Sequence, residues 1–237
     1  MKHRYFVGIL AIASVLLINM AMAADVEIAL EAELADEILA PMTIAVPADV
    51  NDHNGIEPNE PSNGKFVWAP GEPLVGGANG NKGSVKFIIN IPEEDTYIVW
   101  AWVVAWDGNS DSFYSTWEPA DPKINPQSPA NNDYRWSISG GNAWHWDRIE
   151  VWADDDSHTD REWDLPAGET ILTIWTREDA TMLDALFITN NIAGGQAIAR
   201  LPDDDDRQLQ IEGVRRAVDA EGKLPITWGH IRSQHGI

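Results

Sequence analysis

The sequence contains no cysteine. That absence excludes a disulfide scaffold, a thiol nucleophile, a lipid-modified cysteine and a cysteine-ligated zinc together. Basic residues are scarce: 16 Lys and Arg stand against 38 Asp and Glu, for a formal net charge of −22. A chain so acidic repels phosphate, so nucleic acid and anionic lipid are excluded as charge-driven partners. Neutral ligands suit it, and its carboxylates suit hard cations such as Ca²⁺. The histidines are His3, His53, His145, His158, His230 and His235, and none falls in a metal-binding or catalytic-triad motif. Beyond Met20 no apolar run is long enough to span a bilayer, and there is no internal repeat.

What is present begins with a leader. Met1-Lys-His-Arg-Tyr5 is basic, Phe6 to Met20 is apolar, and Ala21-Met22-Ala23 has the small-x-small cleavage pattern. Residues 1–23 read as a secretory signal peptide, which implies a secreted, extracellular or periplasmic protein. Cleavage removes Lys2 and Arg4, so the mature chain is more acidic still. An exported domain without disulfides must be held by its core, with calcium as a possible aid. The chain also has 12 tryptophans. That is too many for the core alone, and flat aromatic faces bind sugar faces at low entropic cost.

The mature chain reads as a succession of short strands. Val26 to Glu33 has helical propensity in its Ala, Leu and Glu, but is assigned to a strand on tertiary grounds. Residues 39–46 read as a second strand and Lys65 to Trp68 as a third. Ser84 to Ile91 alternates Val85, Phe87, Ile89 and Ile91 against polar partners, the mark of a half-buried strand. Thr96 to Trp106 is the longest apolar strand, expected at the centre of a sheet. Ser112 to Trp117, Tyr134 to Ile138, Trp144 to Trp152 and Arg161 to Leu165 follow. Pro119 to Asp133 is a long loop with four prolines. Strands separated by polar turns, with no convincing helix among them, predict an all-β jelly-roll sandwich of two antiparallel sheets over residues 24–192. Residues 193–237 read as an acidic linker, with the charge run Asp203 to Asp206 as a solvated segment, and a C-terminal extension. Arg207 to Ala220 is the candidate single helix there.

Two β-rich runs, Gly168 to Thr176 and Met182 to Thr189, flank the polar turn Arg177-Glu178-Asp179-Ala180 and read as a hairpin. Both runs are apolar on both faces, as strands of a sandwich core are. Asp184 breaks the pattern. A buried carboxylate needs a partner, and a metal ion is a good one.

Four segments taken in order carry a family resemblance. They are Leu30-Glu-Ala-Glu33; Ser62-Asn-Gly-Lys-Phe-Val-Trp68; Thr96-Tyr-Ile-Val-Trp-Ala-Trp-Val103 with Asp111-Ser-Phe-Tyr114; and Trp144-x-Trp146 with Leu165-Pro-Ala-Gly168 and Arg177 to Asp184. Over roughly residues 28–190 the chain resembles carbohydrate-binding modules of the family 6 and family 35 type, among the galactose-binding-like jelly rolls. The resemblance implies a structural Ca²⁺ that joins first strand to last through Glu31, Glu33 and Asp184. It also implies a loop cleft in which Phe66 (or Trp68) and Trp144 clamp a sugar ring while Arg177, Glu178 and Asp179 bond its hydroxyls. Two positions depart from the family: Phe66 stands where a tyrosine is common, and Arg-Glu-Asp replaces a usual asparagine. Nothing in the sequence makes a positive case for an enzyme. The expected function is a non-catalytic module that binds polysaccharide or oligosaccharide, serving a separate glycan-active enzyme or acting alone. The alternative is a protein-interaction or structural module on the same fold without a working sugar cleft.

Overall fold

The structure is a computed structural model. It describes residues 25–50, 61–71, 82–106, 108–119, 134–152, 158–213 and 218–219. The signal-peptide reading and most of the Pro119 to Asp133 loop lie outside these residues. Fifteen strands are defined: β1 Val26–Glu31, β2 Glu37–Leu39, β3 Thr43–Ala45, β4 Phe66–Trp68, β5 Ser84–Ile91, β6 Asp95–Ala105, β7 Ser112–Glu118, β8 Arg135–Ser137, β9 Gly141–Arg148, β10 Glu150–Trp152, β11 His158–Asp160, β12 Trp163–Leu165, β13 Gly168–Thr176, β14 Met182–Thr189 and β15 Val218–Asp219. Among the described residues one α-helix, α1, covers Asp204–Ile211.

The strands form an all-β sandwich of the jelly-roll kind, and every pairing is antiparallel. One sheet has the order β2-β5-β13-β7-β8. A second runs β12-β6-β14-β1-β15, with β9 also on β6, and β4 joining β14 to β3, while β10 and β11 pair as a separate two-stranded ribbon. Alternation decides which side chains meet between them. Val85, Phe87, Ile89, Phe113, Trp117, Leu172 and Ile174 of the first sheet pack with Leu30, Tyr97, Val99, Ala101, Val103 and Leu186 of the second in one core. Burial of a large apolar side chain there contributes about 1.5–3 kcal/mol, and with no cysteine to help, this core carries the fold.

The expected hairpin is corrected. β13 pairs with β5 and β7, whereas β14 pairs with β1, β4 and β6. Residues 177–181 therefore cross from one sheet to the other. Both strands are interior to their own sheets, and the outer face of β13 leaves Glu169 exposed and Ile171 and Trp175 half-buried. Every residue of β14 is buried.

The single strand expected over residues 39–46 is also corrected. Pro41 cannot donate to a ladder, and the chain changes sheet around it: β2 pairs β5 and β3 pairs β4. Likewise the first strand stops at Glu31, and a short 3₁₀ turn, Ala32–Leu34, takes over.

The run Asp203 to Asp206 is not a solvated linker. Asp203 caps α1, its Oδ1 accepting from the N–H groups of Asp205 and Asp206 at 2.9 Å each. Asp206 Oδ2 accepts from the Asp203 N–H at 3.0 Å, closing the box. Asp204, Asp205 and Asp206 sit in the first turn, where the helix dipole favours negative charge. Asp206 is buried and paired with Arg200, which also reaches Glu27 of β1 at 3.2 Å. The helix is thus docked on the sandwich, and it ends at Ile211 rather than running to Ala220.

Candidate functional site

Three carboxylates converge at the junction of β1, β4 and β14. Glu31 ends β1, the following 3₁₀ turn brings Glu33 round beside it, and Asp184 lies in β14 at a register shift between Leu183 and Ala185. One oxygen from each lies within 4.8 Å of the others. Glu31 and Asp184 have no exposed surface and Glu33 is buried.

Each carboxylate is half satisfied. Ser62 Oγ donates to Glu31 Oε1 at 2.7 Å, and Arg207 Nε donates to the same oxygen at 2.7 Å. The Ser62 N–H donates to Asp184 Oδ2 at 2.6 Å, and Asn63 Nδ2 donates to Glu33 Oε1 at 2.9 Å. The Ser62 and Asn63 donors come from the tight turn before β4, where Asn63 (φ 50°) and Gly64 (φ 69°) hold left-handed backbone that asparagine and glycine tolerate best; Arg207 comes from α1. The other oxygens, Glu31 Oε2, Glu33 Oε2 and Asp184 Oδ1, are buried without a hydrogen-bond partner.

The electrostatics are strained accordingly. Burial, then the neighbouring Glu31 and Glu33, push the Asp184 carboxyl up to about 9 against one opposing hydrogen bond from Ser62. Burial also raises Glu31 and Glu33, with the charge of Glu31 adding to the rise at Glu33. Unpartnered buried carboxylate oxygens are costly. A hard cation with bonds of about 2.3–2.6 Å bridges oxygens spaced like these and removes that cost. The donor set is oxygen only, which fits Ca²⁺ and fits poorly the softer metals that seek nitrogen or sulfur.

The aromatic residues form a second cluster. Phe66, Trp68, Val104, Trp106, Trp144, Ala180 and Met182 pack together, with Trp102 half-buried against them. β14 thus carries Met182 in the aromatic cluster and Asp184 in the acidic one. Phe66 does not offer a face to a sugar: it has no exposed surface, and its ring meets Trp68 at 6.3 Å and Trp144 at 5.7 Å, both edge-on. This corrects its expected role as a stacking platform. Without a hydroxyl, Phe66 gains most by full burial. Trp68 at 7% and Trp144 at 8% exposure lie at the margin of the cluster. The more open rings are Trp102 and Trp146, a cross-strand pair with centroids 5.3 Å apart.

The polar turn is engaged internally. Glu178 is buried, accepting from Ser112 Oγ, from the Asp111 N–H at 3.1 Å and from Arg177. Burial raises the Glu178 carboxyl, but those bonds and the Arg177 charge bring it below its usual range. Arg177 also donates to Ser112 Oγ. The two fasten the crossover to β7 instead of extending into a cleft. Asp179 lies over Gly71, where its carboxyl leaves no room for a Cβ. The next residue, Ala180, holds φ at 63°; its N–H bonds Ala69 O at 2.8 Å and its carbonyl accepts from Trp106 Nε1.

Sequence reasoning did not find Ser62 and Asn63 as supports of the acidic cluster, nor Arg207 and Gln210. The Ser-Asn-Gly turn was visible as a motif, but only for its aromatic neighbour. Gln210 lies 179 positions from Glu31, and no local pattern links them. It bonds that residue's backbone twice at 2.9 Å: Oε1 accepts from the N–H and Nε2 donates to the carbonyl.

No family model matches the chain, and no curated protein does. Among solved structures, the chain is similar to a Podospora anserina GH26-CBM35 β-(1,4)-mannanase, at 14% identity and TM-score 0.45, covering 76% of this chain and 29% of that one. It is also similar to a native family 35 carbohydrate-binding module from Clostridium thermocellum, at 12% identity and TM-score 0.43, covering 68% of this chain and 96% of that one. A C-terminal family 6 module of a Zobellia galactanivorans laminarinase matches at 14% identity and TM-score 0.40, covering 70% and 98% of the two chains. The chain spans less than a third of the mannanase.

Proposed function

We propose that the protein is an exported, non-catalytic carbohydrate-binding module whose sandwich is fastened by a calcium ion on Glu31, Glu33 and Asp184. The observation that carries this reading is the convergence of three buried carboxylates, each with an unpartnered oxygen, on the strands that the sequence resemblance assigns to calcium. The ion supplies positive charge and further coordination sites. The chain supplies orientation: Ser62 and Arg207 hold Glu31 Oε1, Ser62 also holds Asp184 Oδ2, and Asn63 holds Glu33 Oε1, which leaves one oxygen of each carboxylate for the ion. The sugar-binding surface is assigned to Trp102, Trp144 and Trp146, on which a sugar face stacks through its C–H groups. Residues 1–23 direct export, and the module serves a separate glycan-active enzyme or binds alone, by raising local concentration on the polysaccharide.

The burial of Phe66 and the internal bonding of Arg177 and Glu178 favour a second reading, an extracellular interaction or structural module without a sugar cleft. Affinity electrophoresis through gels containing plant, algal and bacterial polysaccharides separates the two. Retardation by at least one glycan, weakened in Trp144→Ala and Trp146→Ala, supports the first reading. No retardation by any of them overturns it in favour of the second.

A further inference from the structure

The acidic cluster has an internal cation that does not belong to the sandwich. Arg207 comes from α1, 176 positions after Glu31, and its Nε lies 2.7 Å from Glu31 Oε1. The rest of the guanidinium is held fast. Nη1 donates to Asp204 Oδ1 at 2.9 Å; Nη2 donates to Pro202 O at 2.8 Å and to Ser62 Oγ at 3.1 Å. Ser62 is itself the residue that bonds both Glu31 and Asp184. The arginine therefore sits on the bonded oxygen of Glu31, while Glu31 Oε2, Glu33 Oε2 and Asp184 Oδ1 are buried without a hydrogen-bond partner. Lys65 acts on Glu33 as well.

Charge arithmetic gives this placement a meaning. Three carboxylates and one divalent ion leave one negative charge; with Arg207 the group is neutral. Without the ion, Arg207 lies against Glu31 Oε1 and offsets the charge of that carboxylate. With the ion bound, it stands one carboxylate away from a second cation and repels it. We infer, on the reading that this cluster holds calcium, that Arg207 is a built-in counter-ion: it stabilises the metal-free sandwich and weakens calcium binding. The C-terminal segment thereby sets the calcium concentration at which the module becomes loaded. A merely positional role gives the opposite sign, because an arginine that only aims Glu31 would strengthen binding.

The test is isothermal titration of metal-stripped protein with Ca²⁺, together with melting in EDTA, for wild type, Arg207→Gln and Arg207→Lys. Gln210 keeps α1 anchored to the Glu31 backbone in both variants. Removing a unit charge this close to a divalent ion in a partly shielded site is worth on the order of tenfold or more in affinity. Arg207→Gln is expected to bind Ca²⁺ about tenfold tighter or more and to melt lower than wild type in EDTA. Arg207→Lys, which keeps the charge without the planar fork, is expected to bind within about threefold of wild type. Equal or weaker binding by Arg207→Gln overturns the inference and leaves the calcium reading standing. So does a change of about tenfold or more in either direction for Arg207→Lys, which keeps the charge, and that readout remains if Arg207→Gln does not fold. Failure of wild type and both variants to bind Ca²⁺ overturns the calcium reading and the inference with it.

Discussion

Replacing Gln210 by alanine tests whether the C-terminal helix is part of the domain. Gln210 is 3% exposed, and its amide makes two bonds of 2.9 Å to the N–H and carbonyl of Glu31. It completes the backbone of β1 where that strand turns away at Ala32. Alanine leaves one donor and one acceptor unpaired in a buried setting, at about 1–3 kcal/mol each. Water entry through the vacated space recovers part of that, so a net loss of roughly 2–4 kcal/mol is expected. For a domain of this size each kcal/mol moves the melting midpoint by about 2–4 °C, which places the Gln210→Ala midpoint roughly 5–15 °C below wild type. The control is Gln208→Ala. Gln208 is on the same helix but exposed, and bonds only Glu212 at 2.6 Å among the described contacts, so its midpoint stays within about 1 °C. Differential scanning calorimetry on the chain without residues 1–23, with calcium held constant, reads both. Equal midpoints for wild type and Gln210→Ala would refute the reasoning, because the bonds at Glu31 would then carry no stability.

Other perturbations have definite outcomes. Burial, then the adjacent Glu178, raise the Asp111 carboxyl to about 6; the stability this gives is full below its ordinary value near 4 and is lost as pH rises through 6. Asp111→Asn therefore adds about 1 kcal/mol of stability at pH 8 once solvent screening is allowed for, raising the melting midpoint by about 2–4 °C, and leaves it nearly unchanged at pH 4. Phe66→Ala removes a fully buried ring and costs about 3–5 kcal/mol, whereas Phe66→Leu folds with a smaller loss. Glycan retardation that survives in Phe66→Leu shows the ring to be a packing residue; retardation lost in that variant while its melt stays near wild type contradicts the assignment. If calcium binds with a Kd of about 10 μM, 1 mM Ca²⁺ adds about 2.7 kcal/mol over EDTA and raises the midpoint by roughly 5–11 °C; identical melts with and without calcium refute the stabilising role of the ion.

The alternation of Val85, Phe87, Ile89 and Ile91 and the long apolar run through β6 placed the main strands, because burial on a pleated sheet is written in a two-residue period. The same period does not say which strand is a neighbour. β13 and β14 looked like a hairpin because adjacency in sequence is the usual rule, but a sandwich must cross between sheets somewhere, and residues 177–181 are such a crossing. The acidic cluster was legible through one anomaly, Asp184, since a carboxylate among buried apolar residues is expensive. Its supports were not: Ser62, Asn63, Arg207 and Gln210 are ordinary polar residues until the fold brings them to Glu31. The aspartate run Asp203 to Asp206 reads as solvent-loving for its charge; capping geometry and Arg200 make it the cap and first turn of a docked helix. Phe66 was read as a platform for its aromatic ring, but an apolar ring that can be buried on all sides gains more from its neighbours Trp68 and Trp144 than from an exposed face.

Both functional readings share one claim, that Glu31, Glu33 and Asp184 together hold a divalent cation. Elemental analysis of the purified chain without residues 1–23, dialysed against trace calcium, tests it directly, with Asp184→Asn in parallel. The account predicts one calcium per chain in wild type and none in Asp184→Asn. No bound calcium in the wild-type chain, or the same stoichiometry in both, would contradict it.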